Sequence, residues 1–133
     1  MKNLALKSLS IVVVCALGAS GCVPLIVGAA GAGAAGTYAY VKGQLEVSYA
    51  ADYARTWAAT LDSLKALEVT VEDANKDAFG GEIQAKRADG TSVRIHVAPV
   101  TSDVTSVKIR VGTFGSRTIS DRISKEIESR LQN

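Results

Sequence analysis

From residue 44 onward, apolar side chains recur every second or every third to fourth position, and this alternation divides the chain into elements. Leu45, Val47 and Tyr49 alternate with Glu46 and Ser48, so Gln44 to Tyr49 reads as a strand with one inward face. Residues 37–43 lead into it as an extended segment that bends at Gly43. The spacing then changes. Tyr53, Trp57, Leu61, Leu64 and Leu67 step by four or three, which places them on one side of a helix opened by Asp52. Four strands follow: Val69 to Asp73, Gly81 to Arg87, Ser92 to Ala98 and Val104 to Val111. Asp89-Gly90 marks a hairpin between the second and third of these, and Pro99 with Thr101-Ser102-Asp103 is expected to end the third. Ile119, Ile123, Ile127 and Leu131 repeat every four residues, giving a last helix that Ser116 or Thr118 caps. The order β-α-β-β-β-β-α, with two apolar helix stripes and strands of one apolar face each, predicts an α+β two-layer sandwich. Both helices would cover one face of an antiparallel sheet.

The first 41 residues follow none of these periods. Met1 to Lys7 carries two lysines and no acid, and residues 8–41 contain no Lys, Arg, Asp, Glu or His. Ser8 to Gly18 is an apolar run, followed by Ala19-Ser20-Gly21-Cys22. A positive start, an apolar centre and small residues directly before a cysteine are the layout of a bacterial lipoprotein signal peptide. One helix over residues 8–41 would be ~51 Å long, well beyond the ~30 Å that a hydrocarbon core requires. We therefore expect removal of residues 1–21 and lipidation of Cys22. Stable anchoring follows, because a diacylated or triacylated cysteine carries more than the single chain that binds only marginally. Val23, where enterobacterial sorting would use Asp to retain a lipoprotein in the inner membrane, points to the outer membrane and a periplasm-facing domain. Residues 22–36 hold the lipidated cysteine and a Gly/Ala-rich stretch, read either as a tether or as a membrane-associated helix. Residues 37–133 form the single folded domain.

This address changes the meaning of the charge. The whole chain has 15 basic and 13 acidic side chains, but loss of Lys2 and Lys7 with the signal peptide leaves 13 of each. The net charge of +2 is thus no argument for a nucleic-acid partner. Cys15 leaves with the signal and the Cys22 sulfur is expected to carry lipid, so no thiol, disulfide or thiolate metal ligand remains for the domain.

Candidate chemistry is sparse. His96 is the one histidine, and its parity against Val93, Ile95 and Val97 places it on the solvent face, with Gln84, Lys86, Lys108 and Arg110 as expected neighbours. Glu72 and Asp73 are adjacent on a strand and should point to opposite faces, a poor arrangement for paired acid and base work. The glycine pairs at 80–81 and 112–115 match neither GxGxxG nor GxxxxGK[ST]. Phe114 either closes the end of the core or forms an exposed lip. No catalytic, cofactor-binding or metal residues are assigned. Lys86, Arg94, His96, Lys108 and Arg110 mark a polar face with a basic surplus, read either as an ordinary wet surface or as a place to dock anionic headgroups or an envelope partner. No aromatic residue is interleaved there for nucleic-acid stacking. The expected role is non-enzymatic, structural or interactive; a weak hydrolase or small-ligand module around His96 is the alternative.

Several short stretches carry a family likeness in their order: SGC at 20–22, the Gly/Ala-rich run, GTYAYVKGQL at 36–45, WAATL at 57–61, KDAFGG at 76–81, RADGT at 87–91, and VT at 104–105 through RVGTFG at 110–115. Together they resemble the DUF3568 family of small bacterial lipoproteins, whose function is not established. The resemblance implies an envelope lipoprotein and supplies no catalytic or ligand residues.

Overall fold

The structure, a computed structural model, describes residues 38–133. The signal peptide, Cys22 and the Gly/Ala-rich stretch expected from the sequence lie outside the described residues. Six strands and two helices are present: β1 Tyr38–Val41, β2 Gln44–Tyr49, α1 Tyr53–Ala66, β3 Thr70–Lys76, β4 Gly81–Lys86, β5 Ser92–Thr101, β6 Val104–Val111 and α2 Arg117–Gln132. The strands form one antiparallel sheet in the order β1-β2-β6-β5-β4-β3, and both helices pack against it and each other. The α+β order read from the sequence is present, with one addition. The lead-in segment doubles back at Lys42-Gly43 and pairs Tyr38 with Val47, making a short edge strand.

The inward set is the one alternation requires. Leu45, Ile83, Ile95, Val97, Val107 and Ile109 are fully buried, and Ile123 and Ile127 of α2 close over them. Beneath α1, Trp57 is 6% exposed and lies over Gly81. A side chain at Gly81 would run into the indole ring and come within 2.8 Å of the Asn75 carbonyl oxygen.

Hydroxyl residues complete the helix layer. Thr56, Thr60 and Ser63 are completely buried, and their hydroxyls donate to the carbonyls four residues earlier, those of Asp52, Thr56 and Ala59 respectively, at 2.6–2.9 Å. Such back-bonding satisfies the polar group without a partner from another element, so small side chains can bring the helices close. The Tyr49 hydroxyl reaches α2, donating to the Ser124 carbonyl at 3.0 Å and lying 2.8 Å from Ser124 Oγ. Burial pushes the Tyr49 phenol well above its ordinary range.

The ends of elements follow local chemistry. Asp52 caps α1 by accepting from the Arg55 N–H at 2.8 Å. Ser116 occupies the corresponding position of α2 but makes no side-chain cap bond. Asp121 instead accepts from the Tyr38 hydroxyl and lies 4.0 Å from Arg117, tying β1 to the helix. Pro99 does not end β5 as expected: it remains opposite Thr105, beyond the point where pairing with β4 has ended at Gly81–Val97, and the ladder is irregular between Pro99 and Thr101. A proline is tolerated where a sheet neighbour is missing.

Candidate functional site

The face of the sheet opposite the helices carries every residue singled out for a possible interaction. His96, Arg94 and Ser92 of β5 are exposed, Lys86 and Gln84 of β4 stand beside them, and Lys108 and Arg110 of β6 lie on the other side. Acidic neighbours from other strands offset much of the expected basic surplus. Glu46 of β2 faces Lys108 at 3.6 Å, Glu82 faces Arg94 at 3.4 Å and Glu72 faces Lys86 at 3.4 Å. These pairs are exposed and weakly stabilising, but they remove net charge from most of the face.

Sheet order explains the difference. β2 pairs with β6 rather than with its successor, which places Glu46 opposite Lys108. The register between β3 and β4 shifts between Val71 and Asp73. Because of that bulge, Asp73 stands opposite the outward Gln84 while Glu72 reaches Lys86, so the two carboxylates do not take opposite faces as simple alternation would require.

His96 sits between Glu82 and Lys108 in the cross-strand rows, at the rim of a cleft of about 400 Å³ bordered by Asp77, Phe79 and Gly80. Glu82, the nearest acidic candidate in that register, accepts from Gln84 at 3.1 Å and pairs with Arg94. Both contacts are made by Glu82 Oε1. The cleft gives His96 a concave neighbour that the sequence reading did not anticipate, but no base-and-orienter arrangement of the kind general acid-base catalysis uses. Among the described residues no group of three or more His, Cys, Asp or Glu is placed to hold a metal ion. No described helix is long and apolar enough to cross a membrane.

Arg110 is different from the other cations. Its Nη2 donates to the Thr113 carbonyl at 2.7 Å and its Nη1 lies 3.5 Å from the Lys42 carbonyl. It therefore joins the β1–β2 turn to the loop after β6. Those two segments touch through backbone: a Cβ on Gly115 would collide with the Gly43 carbonyl, and a Cβ on Gly43 with that of Phe114. Both glycines have positive φ, 78° and 85°, so each position favours glycine twice over. The clamped loop presents Phe114 to solvent, 92% exposed. The residue is thus the lip of the two alternatives and takes no part in closing the core. Phe79 is likewise 87% exposed, on a turn where Asp77 Oδ1 accepts from the N–H groups of Phe79 and Gly80.

The sequence reading missed the Arg110 clamp, and its signal was faint: two glycines far apart in sequence, each next to a strand end. No curated protein matches the chain. The family model described as a protein of unknown function, DUF3568, matches residues 5–130. Since that match spans most of the sequence, the chain belongs to the DUF3568 family.

Proposed function

We propose that this protein is a lipid-anchored, non-enzymatic domain of the bacterial cell envelope, held at the outer membrane facing the periplasm, where it serves a structural or interaction role. The observation that carries the reading is the order of segments at the amino terminus: Lys2 and Lys7, the apolar run to Gly18, and Ala19-Ser20-Gly21 before Cys22. Supporting it, the 15 residues between Cys22 and Tyr38 could reach at most about 54 Å, which keeps the domain close to the bilayer. Glu46, Glu72 and Glu82 of the open face lie 3.4–3.6 Å from Lys108, Lys86 and Arg94, an alternation of charge that suits an interaction surface.

Intact-mass measurement on protein extracted from membranes tests the anchor. The expected product lacks residues 1–21 and carries acyl chains on residue 22. A Cys22→Ser variant that is processed and retained in membranes like the natural chain would overturn the assignment.

A further inference from the structure

The two edges of the sheet differ in what they offer a further strand. An edge strand carries a row of unpaired N–H and C=O groups, which charges, prolines and bulges ordinarily keep from pairing with another chain. β3 has such guards: Glu72, Asp73 and Lys76 lie on it, and its register shifts between Val71 and Asp73. β1 has none of them. Tyr38-Ala39-Tyr40-Val41 contains no charge and no proline, and it pairs with β2 in unbroken register. Tyr38 is 46% exposed and Val41 59%, and among the described residues no strand lies beyond them.

The turn after β1 fixes which backbone groups the strand presents. Lys42 and Gly43 both have positive φ, 52° and 78°, the geometry of a two-residue hairpin turn closed by a hydrogen-bonded pair, here Val41 and Gln44. Alternation then directs the N–H and C=O of Val41 and Ala39 toward β2, and those of Tyr40 and Tyr38 outward. Both tyrosines share the helix side of the sheet, since they stand opposite the buried Leu45 and Val47. The strand is also held in place. The Tyr38 hydroxyl donates to Asp121, and the Arg117 guanidinium lies 5.7 Å from the Tyr40 ring. A preformed edge gives up little conformational freedom when a strand is added to it.

The outward groups of β1 are complementary to themselves. With Ala39 on a two-fold axis, an antiparallel second β1 sets Tyr38 opposite Tyr40 of the second copy, and Tyr40 opposite Tyr38 of that copy. Every outward N–H and C=O of both strands then has a partner. The tyrosines form cross-strand aromatic pairs on the helix side, and the small Ala39 side chains meet on the open face, where Ala39 stands opposite Glu46. We propose that β1 is a self-association edge, joining two copies of this chain into one continuous antiparallel sheet. The proposal rests on the anchored reading of Cys22: so short a contact is weak between free molecules, and confinement of both copies to one bilayer supplies the concentration it needs.

The test uses the full chain, recovered from membranes and reconstituted into vesicles of phosphatidylethanolamine and phosphatidylglycerol, carrying Ala39→Cys or Val41→Cys and treated with a mild oxidant. On the axis, position 39 meets its counterpart in a non-hydrogen-bonded pair with Cα atoms about 4.5 Å apart, within disulfide range. Position 41 is the more exposed, but it stands about 13 Å along the strand from its own counterpart. Ala39→Cys should therefore give several-fold more covalent dimer than Val41→Cys, and dilution with lipid should reduce the yield. In the natural chain, amide hydrogen exchange over residues 38–41 should slow several-fold between dilute and protein-dense vesicles while exchange over residues 70–76 stays the same, a readout that holds even if a cysteine variant fails to fold. Equal disulfide yields at 39 and 41, no dimer at 39 in folded, acylated protein, or exchange indifferent to protein density overturns the pairing while the anchor stands. Full protection of residues 38–41 already in dilute vesicles assigns that edge to the same chain and overturns the second copy as occupant. A disulfide dimer of the natural chain, or a chain free of membranes, shows an unacylated Cys22 and overturns the anchored reading, and the proposal with it.

Discussion

Replacing Trp57 probes the contact on which the helix layer depends. The indole is 6% exposed and lies over Gly81, with the Tyr53 ring 6.3 Å away and Lys76 Nζ 5.7 Å from its centroid. Burial of roughly 200 Å² of largely apolar surface at about 25 cal/mol per Å² gives about 5 kcal/mol, an upper bound because an unfolded chain already hides part of it. Trp57→Ala should therefore cost about 3–5 kcal/mol, a large share of the roughly 5–15 kcal/mol that stabilises a domain. Gly81→Ala should cost about 1–3 kcal/mol by overpacking. Its methyl group would strike the indole and lie 2.8 Å from both the Asn75 carbonyl oxygen and Lys76 Cβ. In the double variant the methyl has room on the helix side, so the combined loss should fall short of the summed losses by about 0.5–3 kcal/mol. Urea unfolding of the domain from Thr37 to Asn133, followed by far-ultraviolet circular dichroism, measures all three. A Trp57→Ala loss below about 1 kcal/mol, or strict additivity in the double variant, would refute the packing argument.

Other consequences can be measured on the same domain. Because burial raises the folded Tyr49 pKa above the unfolded value, Tyr49 contributes stability that is complete below pH ~10 and is lost as pH rises beyond it. Tyr49→Phe should flatten that alkaline decline in a pH series of unfolding midpoints; an unchanged slope would assign the decline to other groups. Asp52→Ala should cost about 1 kcal/mol and Asp52→Asn much less, since either Asp or Asn can accept from the Arg55 N–H. Equal losses would show that the cap bond is unimportant. Gly115→Ala, at φ 85° and against the Gly43 carbonyl, should lose about 1–3 kcal/mol and be detectable as a lower melting temperature, whereas a neutral result would contradict the clamped loop. Arg94→Gln with Lys108→Gln should change stability by no more than about 0.5 kcal/mol, because both ion pairs are solvent-exposed; a loss above 2 kcal/mol would reveal a larger structural role.

Much of the fold was legible because each element carries its own period. Val93, Ile95 and Val97 alternate and are all buried, and the four-residue repeat of Ile123 and Ile127 selects the face of α2 that meets the sheet. Tyr38–Val41 was harder to read as a strand because it is only four residues long and half exposed; its pairing with β2 is decided by the turn at Lys42-Gly43. The buried Thr56, Thr60 and Ser63 were also hidden from a hydrophobic pattern, since their burial depends on hydroxyls returning to their own helix.

The sequence alone determined the order of elements from β2 onward, the inward sets of β2, β4, β5, β6 and the last helix, and the outward parity of Arg94, His96, Lys108 and Arg110, because all of these depend on neighbours along the chain. Tertiary structure decided what those outward residues meet. Glu46 reaches Lys108 across 62 positions only because β2 pairs with β6, and the bulge in β3 brings Glu72 to Lys86. Gly43 and Gly115 become a backbone contact, and Arg110 a clamp, only when the β1–β2 turn lies against the loop leaving β6. Local periodicity sets which way a side chain faces, whereas charge balance and rigidity depend on which distant segment the sheet places beside it.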